Sequence, residues 1–238
     1  MKKQNLKYIL DKQGYIILDN LYSASEIQQL IRCIDETTQH SEGFLKTNDL
    51  FAIRQLLKNI PNLKEIIVNK NLRSLLSTIF NGPYFLTKGI YFDKPPTSNW
   101  FVPYHQDISI SVNQKTERLN YKNWTHKKGQ YGVQPPLKFL ENSTTIRIHL
   151  DDTTQQNGAL KVIPSSHKKG IIRTDQKDWD TAIEKVCDVK SGGVMLMKPL
   201  TLHASHRTTN GKRRRVIHLE FCDQQLEAPL EWLEHETL

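Results

Sequence analysis

The sequence contains few cysteines and no long apolar run. Its three cysteines, Cys33, Cys187 and Cys222, are far apart among the 238 residues and form no Cys-x-x-Cys pair. A disulfide framework and a cysteine zinc site are therefore disfavoured, and a reducing compartment is favoured. No segment approaches the roughly 18 consecutive apolar residues of a membrane-spanning helix. Residues 1–5 lack the apolar core of a secretory signal. We expect a cytoplasmic protein without a membrane segment.

The chain is basic, with 33 Lys and Arg residues against 25 Asp and Glu residues and a net charge of +8. This balance allows binding of nucleic acid or of an anionic small molecule. Basic clusters occur at residues 126–128, 167–169 and 212–215. They are scattered and have no interleaved aromatic residues, so solvated surface is the simpler interpretation. We expect a small-molecule substrate, with a mild preference for an anionic one, and disfavour a nucleic-acid partner.

The first 80 residues have the sequence pattern of helices. Ser23 and Glu26 form a capping box, in which each side chain satisfies a backbone amide at the helix start. An apolar stripe at helical spacing then continues to about residue 39. The stripe comprises Ile27, Leu30, Ile31 and Ile34. Further helices are predicted over residues 49–58 and 72–80, because Pro61 follows the first and Gly82-Pro83 follows the second.

From residue 84 onward, short apolar stretches alternate with turns, which is typical of strands. The predicted strands cover residues 84–92, 108–112, 144–150, 159–163, 194–197 and 215–222, with an earlier one at 14–18. Helices followed by many short strands predict an α+β, mainly β protein built on a β-sandwich or barrel. We expect one domain over residues 1–238. Residues 113–142 are polar and irregular, and a segment of that length predicts an active-site lid or insert.

His105 and Asp107 are the first candidates for chemistry. They directly precede the strand predicted at residues 108–112. Residues two apart on an extended chain project from the same side. An imidazole and a carboxylate on one face are two adjacent ligands for a divalent metal. Because His-x-Asp also arises by chance, the motif needs a third ligand elsewhere.

That third ligand is predicted far downstream. His203 follows the strand at residues 194–197, and Arg214 lies eleven residues later, at the start of the last strand. Two histidines and one aspartate form the facial triad of non-haem Fe(II) oxygenases. Such a triad leaves positions open for dioxygen and for a chelating keto acid, 2-oxoglutarate. A buried arginine suits the free carboxylate of that keto acid, because its planar fork binds a carboxylate bidentately.

Two rival assignments remain open on these residues. His206 could replace His203 as the distal ligand, although only eight residues would then separate it from Arg214. Arg215 could replace Arg214, although it alternates with apolar residues on a face that predicts packed core. Arg214 shares the other, polar-tolerant face with His218.

Several motifs, in order and over nearly the full length, resemble the phytanoyl-CoA dioxygenase family of Fe(II)- and 2-oxoglutarate-dependent oxygenases. They are Gly14-Tyr15-Ile16-Ile17-Leu18, Lys94-Pro95-Pro96, His105-Gln106-Asp107, Leu150-Asp151-Asp152, Asn157-Gly158-Ala159-Leu160, Pro164-Ser165-Ser166-His167 and His203-Ala204-Ser205 with Arg214. The family often has Pro-Gly-Ser-His where this chain has Pro164-Ser165-Ser166-His167. The asparagine that is common five residues after the distal histidine is absent, and Asn210 lies two residues further on.

The resemblance implies a cupin-like double-stranded β-helix, or jelly roll, with helices packed on one sheet. It implies Fe(II) on His105, Asp107 and His203, and 2-oxoglutarate held through its distal carboxylate by Arg214 and Ser205. Dioxygen is the other implied cosubstrate. The implied enzyme is a hydroxylase that couples decarboxylation of 2-oxoglutarate, to succinate and CO2, to oxidation of an unactivated C–H bond. The substrate and the oligomeric state are left open.

Two further residues are candidates for the cosubstrate pocket. Arg147 resembles a family position that lines the cosubstrate or substrate pocket, although an ion pair with Asp151 or Asp152 is an equal alternative. Tyr91 could reach the pocket from its strand, although a packed core position is the favoured interpretation.

Three residues are candidates for substrate contacts, namely Gln106 between the two metal ligands, and Trp124 and Lys128 in the predicted lid. Two other functions stay open as alternatives. One is a catalytically silent jelly-roll protein that binds a ligand, against which the complete triad argues. The other is a basic protein that binds nucleic acid through residues 212–215, for which a steep salt dependence of affinity would be the signature.

The first prediction concerns the distal ligand. His203→Ala should weaken binding of Fe(II), or of Co(II) or Ni(II) in air, by more than about 100-fold. Mutation of a residue that only hydrogen-bonds to a metal ligand typically lowers metal affinity by about 10–100-fold. Loss of a direct ligand should lower it more. His206→Ala should leave the affinity nearly unchanged. Calorimetric titration of each variant with Co(II) measures the effect, and loss of metal binding in His206→Ala alone would reverse the assignment.

Overall fold

The computed structural model describes residues 3–39, 45–46, 51–98, 100–117, 120–127, 129–173 and 179–238. The α-helices within these residues are α1 (Lys3–Gln13), α2 (Ala24–Gln39), α3 (Leu56–Asn59), α4 (Leu63–Ile67), α5 (Lys70–Ile79) and α6 (Leu137–Glu141). The first seven strands are β1 (Tyr15–Leu18), β2 (Leu45–Lys46), β3 (Phe51–Arg54), β4 (Phe85–Lys94), β5 (Val102–His105), β6 (Ile110–Val112) and β7 (Lys122–Lys127). The remaining strands are β8 (Gln130–Gln134), β9 (Ser143–His149), β10 (Leu160–Val162), β11 (Lys185–Cys187), β12 (Val194–Met197), β13 (His203–Ser205) and β14 (Arg214–Cys222).

The strands form three antiparallel sheets. The large sheet has seven strands in the order β1-β12-β9-β14-β4-β3-β2, and the small sheet has four in the order β11-β10-β13-β5. A third sheet, β6-β8-β7, has three strands. Apolar side chains of the large and small sheets form one cluster, in which Met195 and Met197 pack with Leu160 and Val162. The two sheets therefore face each other, as in a β-sandwich.

The side chains of strand β14 alternate between the two faces of the large sheet. Ile217, Leu219 and Phe221 belong to the apolar core that the helices cover. His218 and Glu220 alternate with them and are also buried, so they point into the space between the sheets. The predicted division of this strand into an apolar and a polar-tolerant face is confirmed.

The helices pack on the outer face of the large sheet. The capping box of α2 forms as predicted, with the Ser23 amide donating to Glu26 at 2.7 Å and the Glu26 amide to Ser23 at 3.3 Å. The apolar stripe of α2 then buries Ile27, Leu30 and Ile34 in this core. Full burial of each such side chain contributes about 1.5–3 kcal/mol to the stability of the fold. In the described residues, no helix has the length and hydropathy required to cross a membrane.

The helix predicted over residues 49–58 is wrong for most of its length. Phe51–Arg54 is a strand that pairs with β4, and only Leu56–Asn59 is helical. Residues 47–50 lie outside the described residues. Local propensity favoured a helix, but the edge of β4 offers unpaired backbone groups that a strand satisfies. The break falls at Gln55, whose φ of 49° lies in the left-handed region.

The irregular segment predicted over residues 113–142 is partly wrong. It contains the hairpin of β7 and β8 and the short helix α6. The hairpin pairs with β6, so that Val133 lies opposite Ile110. Five of the six residues of β7 are exposed and Trp124 is half-buried, so the strand has no apolar alternation to reveal it in the sequence.

Glu234 lies largely buried against the large sheet. Both oxygens of its carboxylate accept from the Gly89 backbone amide at 3.2 Å. Burial raises the pKa of Glu234 to about 7, and the nearby carboxylates Glu220 and Glu236 act in the same direction, against the Gly89 amide and Lys88. The folded protein therefore holds this proton more tightly than the unfolded chain does.

The second prediction follows from that difference. Between the ordinary pKa of 4.5 and about 7, the unfolded chain loses this proton first, so folding stability should fall as the pH rises. The loss should reach about 3 kcal/mol at pH 8. Glu234→Gln can still accept from Gly89. Its free energy of unfolding should match that of the wild type near pH 4 and exceed it by about 3 kcal/mol at pH 8. Urea denaturation of both proteins at the two pH values measures this, and an equal difference at both would contradict it.

Candidate active site

Three side chains with metal-ligating atoms converge on the small sheet. His105 ends β5 and His203 begins β13, and the two residues lie opposite each other in the antiparallel pair. Asp107 follows β5, with its two oxygens 3.8 Å from Nε2 of His105 and of His203. One ligand atom from each residue lies within 4.8 Å of the others. The set has the composition of a two-histidine, one-carboxylate site.

The predicted reason for the approach of His105 and Asp107 is wrong. They do not share one face of a strand over residues 108–112, because the observed strand begins at Ile110. His105 is the last residue of β5, and Asp107 lies in the turn that follows. The backbone amide of Asp107 donates to the carbonyl of Pro199 at 2.9 Å, which fixes this turn beside the start of β13. The turn, and not the strand pleat, brings the carboxylate to the imidazoles.

Backbone carbonyls orient both imidazoles. Nδ1 of His105 lies 2.9 Å from the carbonyl of Pro103, and Nδ1 of His203 lies 2.9 Å from that of Thr201. A carbonyl only accepts, so each Nδ1 carries the hydrogen and each Nε2 has a free lone pair. The Nε2 atoms are the ones that face Asp107. The tautomers therefore suit metal binding through Nε2.

The electrostatics of the triad favour the ligand forms. Burial raises the pKa of Asp107, but His203, His218, His105 and Lys88 outweigh it and lower the pKa to about 2. Burial lowers the pKa of His203 to about 4, against the attraction of Asp107. An ionised carboxylate and a neutral imidazole at neutral pH are the states that bind a divalent cation.

His206, the rival distal ligand, lies elsewhere. Its side chain is exposed and contacts the edge of Phe101, with ring centroids 5.7 Å apart. Its backbone carbonyl accepts from the buried ammonium group of Lys94. The converging group found among the described residues contains His203 and not His206.

Arg214 is buried between the two sheets. One of its terminal nitrogens donates to the carbonyl of Gly158, to which the hydroxyl of Ser205 also donates at 3.1 Å. Its Nε is buried and has no hydrogen-bond partner. Burial, and then the nearby Arg147, lower the pKa of Arg214 to about 9. No carboxylate among the described residues pairs with it, so the site holds a cation that lacks an anion.

The two neighbouring arginines are paired on the other side of the sheet. Arg213 donates from Nε to Asp93 at 2.8 Å. Arg215 binds Asp151 through Nε at 2.9 Å and a terminal nitrogen at 2.7 Å. Of the three consecutive arginines, only Arg214 faces the interior without a carboxylate.

Arg147 also faces the interior, from β9. One terminal nitrogen donates to Nδ1 of His218 at 3.1 Å, and its Nε is buried without a partner. The alternative of an ion pair with Asp151 or Asp152 is wrong. Asp151 binds Arg215, and Asp152 binds Lys190 at 3.1 Å. Burial lowers the pKa of Arg147 to about 10, although Asp107 opposes this.

A cavity of about 430 Å³ opens beside the triad. Its floor includes Asp107 and His218, and an ion pair of Lys88 with Glu220 at 2.9 Å. Nε2 of His218 lies 3.1 Å from Glu220, which links this pair to Arg147. The other wall is the β7–β8 hairpin, through Thr125, Lys127, Gln130, Tyr131 and Gly132. Arg54, on β3, also lines the cavity.

The structure separates the other predicted contact residues from this cavity. Tyr91 is buried in the core under the helices, and Trp124 packs against an apolar cluster that contains Trp232. Side chains alternate between the two faces of β4 and β7, and both rings lie on the face away from the cavity. The sequence did not show which face of each strand would line the cavity. Lys128 lies outside the described residues.

Gln106 borders the cavity, but its amide group is engaged. Its nitrogen donates to the carbonyls of Gly170 and Leu200, and its oxygen accepts from the Ile172 amide. This side chain therefore fixes the segment between His105 and Asp107, with both of its N–H groups engaged. Sequence reasoning missed Lys88 of β4, and His218 and Glu220 of β14, as residues of the site. For the two residues of β14, the alternation of that strand was the available signal.

Comparison with known proteins shows the family to which the chain belongs. Residues 10–216 match the family model of phytanoyl-CoA dioxygenase. A Danio rerio "phytanoyl-CoA dioxygenase domain-containing protein 1" is 30% identical in an alignment 105 residues long that covers 37% of this chain and 36% of that protein. An iron/alpha-ketoglutarate-dependent dioxygenase of Aspergillus calidoustus, ausU, is 24% identical, over 95% of this chain and 74% of its own. A probable alpha-ketoglutarate-dependent hypophosphite dioxygenase of Stutzerimonas stutzeri is 21% identical, over 90% and 76%.

Solved structures share the fold. The non-heme alpha ketoglutarate dependent epimerase SnoN has a TM-score of 0.71 and 12% identity, over 94% of this chain and 81% of its own. HygX of Streptomyces hygroscopicus, solved with nickel, 2-oxoglutarate and hygromycin B, has a TM-score of 0.67 and 15% identity, over 100% and 98%. The fold and the site define a jelly-roll protein with a two-histidine, one-carboxylate centre. The chain belongs to the phytanoyl-CoA dioxygenase family.

Proposed function

We propose that this protein is a dioxygenase that uses Fe(II), 2-oxoglutarate and dioxygen to hydroxylate a small molecule. The observation that carries the proposal is the combination of two complementary sites in one interior. A converging triad with the donor set for Fe(II) lies near two buried arginines that have no carboxylate partner among the described residues. The relatives whose names state a cosubstrate, in Aspergillus calidoustus and Stutzerimonas stutzeri, depend on alpha-ketoglutarate.

His105, Asp107 and His203 would hold the metal. Their donor set suits Fe(II), and a facial triad of protein ligands leaves positions for a chelating cosubstrate and dioxygen. When bound, the iron and its cosubstrates supply the oxidising power, with release of succinate and CO2. The residues of this chain orient the ligands, bind the carboxylates and keep water from the centre. The carbonyls of Pro103 and Thr201 contribute by holding Nε2 of each histidine toward the metal position.

Arg214 would bind the distal carboxylate of 2-oxoglutarate, with Ser205 as the second donor and Arg147 nearby. An unpaired guanidinium is costly to bury, and a carboxylate would compensate it with charge-assisted hydrogen bonds. Ser205 now donates to Gly158, so its hydroxyl would turn from the carbonyl to the incoming anion. Gly158 has a φ of 86°, and a Cβ there would meet Lys94 and the His206 carbonyl at 2.8 Å. Only glycine leaves room for the cluster of donors around its carbonyl.

The cavity beside Asp107 would hold the primary substrate, and the β7–β8 hairpin would act as its lid. Lys88 is neutralised by Glu220, whereas Arg54 and Lys127 form no ion pair with any other residue that the structure describes. Their charges favour an anionic group on the substrate. The relatives include an epimerase and a hypophosphite dioxygenase, so hydroxylation of a C–H bond is the part of the proposal that needs product analysis.

The alternative functions fit the site less well. A silent binding protein would not need the metal-binding tautomers of both histidines. For nucleic acid, residues 212–215 would have to present a free basic patch, yet Arg213 and Arg215 are paired with aspartates and Arg214 is buried. Stimulation of 2-oxoglutarate turnover by a small molecule would separate the enzyme from both alternatives.

The third prediction tests the cosubstrate site. Arg214→Ala should weaken 2-oxoglutarate by about 100- to 1000-fold, since removing one partner of a buried charge pair costs about 3–5 kcal/mol. Metal affinity should hardly change, because Arg214 is not a ligand. Arg213→Ala and Arg215→Ala are matched controls, which should stay within a few-fold of the wild type. Anaerobic titration of the iron-to-cosubstrate charge-transfer absorbance measures each affinity, and equal losses in all three variants would indicate a diffuse basic patch.

The fourth prediction tests the substrate class. Metabolites that bind an anion exchanger should stimulate succinate release, whereas neutral and cationic fractions should not. Arg54→Gln and Lys127→Gln should each reduce the stimulated rate at limiting substrate by about tenfold, as expected when a hydrogen bond to a charged group, worth about 1.5–3 kcal/mol, is lost. Lys122→Gln, on the same strand β7 but outside the cavity, is the control. Activity in the cationic fraction would contradict an anionic substrate.

A further inference from the structure

We propose that His149 is a third recognition group for the distal carboxylate of 2-oxoglutarate, and that Thr153 orients it for this role. The inference rests on the proposed function and extends it to residues that the sequence did not indicate. It follows from the position of His149 between two buried arginines, and from the hydrogen bonds that its imidazole makes and lacks.

His149 lies on the inner face of the large sheet. It is the last residue of β9 and pairs with Val216 of β14. Arg147 is two residues earlier on the same face, and Arg214 is two residues before Val216 on the neighbouring strand. His149 is 3% exposed. Three nitrogen-bearing side chains from two adjacent strands therefore occupy one region between the sheets.

Each of these side chains has a buried nitrogen without a partner. The atoms are Nε2 of His149, Nε of Arg147 and Nε of Arg214. Buried polar groups are normally satisfied, and three orphans in one region indicate a missing acceptor. A carboxylate has two oxygens and about four lone-pair sites, so a single one can serve several donors. The anion that the proposed function already requires is of this kind.

The charge state of His149 allows it to donate only as a neutral imidazole. Burial, followed by the positive charges of Arg147 and Arg214, holds the pKa of His149 well below its usual range. A neutral imidazole has one N–H, and the carboxylate needs that hydrogen on Nε2. The tautomer therefore decides whether His149 attracts or repels the ligand.

Thr153 can set that tautomer. Its hydroxyl lies 2.7 Å from Nδ1 of His149, and the competing acceptor, the Asp151 carbonyl, is at 3.3 Å. When the hydroxyl donates to Nδ1, the hydrogen of the imidazole is on Nε2. The backbone of Thr153 is fixed by two hydrogen bonds with Val189, at 2.8 and 2.9 Å. Thr153 is thus a positioning residue that acts through His149.

The experiment uses the full chain loaded with Co(II) and titrated anaerobically with two keto acids. One is 2-oxoglutarate, and the other is 2-oxopentanoate, which has the same carbon chain without the distal carboxylate. His149→Phe keeps the ring but has no donor, and should weaken 2-oxoglutarate by about 10- to 100-fold. Its affinity for 2-oxopentanoate should stay within about threefold of the wild type. His149→Gln, which retains an N–H, should lose much less affinity for 2-oxoglutarate.

The positioning role has its own comparison. Thr153→Val should weaken 2-oxoglutarate by about three- to tenfold, and Thr153→Ser, which keeps the hydroxyl, should restore the wild-type affinity. His167→Ala is the control, since that histidine contacts the carbonyl of Asp11, away from the arginines.

The outcomes separate this inference from the proposed function. A wild-type protein that binds Co(II) but not 2-oxoglutarate would overturn both. A wild-type protein that binds 2-oxoglutarate, with His149→Phe equal to it, would overturn the role of His149 alone. Equal losses of both keto acids in His149→Phe would also overturn it, because a structural defect does not distinguish the distal carboxylate. Selective loss of 2-oxoglutarate, with recovery in His149→Gln, supports it.

Discussion

Arg147 and Arg214 place two guanidinium groups in the protein interior, and no carboxylate of the described residues pairs with either. Arg147 weakens the tendency of Arg214 to remain charged, because burial and then Arg147 lower the pKa of Arg214 to about 9. Such an arrangement is stable only if the packing of the surrounding core offsets the free-energy cost of desolvating the two guanidinium groups. It also makes the interior selective, because an anion that enters gains the hydrogen bonds that these groups lack.

The rest of the fold supports this polar interior. Strand β14 lies in the large sheet between β4 and β9, and its outer residues pack under the helices while its inner residues carry His218 and Glu220. The helices cover the apolar face of the sheet. On the other face, Met195 and Met197 pack against the small sheet, and the remaining space between the sheets holds charged groups. A chain of contacts through Arg147, His218, Glu220 and Lys88 uses that space and reaches the cavity beside Asp107.

The metal site depends on the opposite sheet. His105 and His203 come from paired strands, and a turn tied to Pro199 delivers Asp107 to them. Backbone carbonyls fix both imidazoles, so the ligand geometry is set by secondary structure and does not rely on long side chains. The triad and the two arginines therefore lie on facing sheets, which is the arrangement that the proposed binding of 2-oxoglutarate requires.

The sequence by itself determined the family motifs, the helix that Ser23 caps, the strand at residues 194–197 and the two faces of β14. Each of these depends on local spacing or on periodicity, which are properties of neighbouring residues. Tertiary structure decided the rest. Residues 51–54 became a strand because β4 offered an edge, and Asp107 reached the histidines through a turn that a distant carbonyl holds. The partners of Arg147 and of the three consecutive arginines depend on which strands lie side by side, and strand order is set by contacts between residues far apart in the chain.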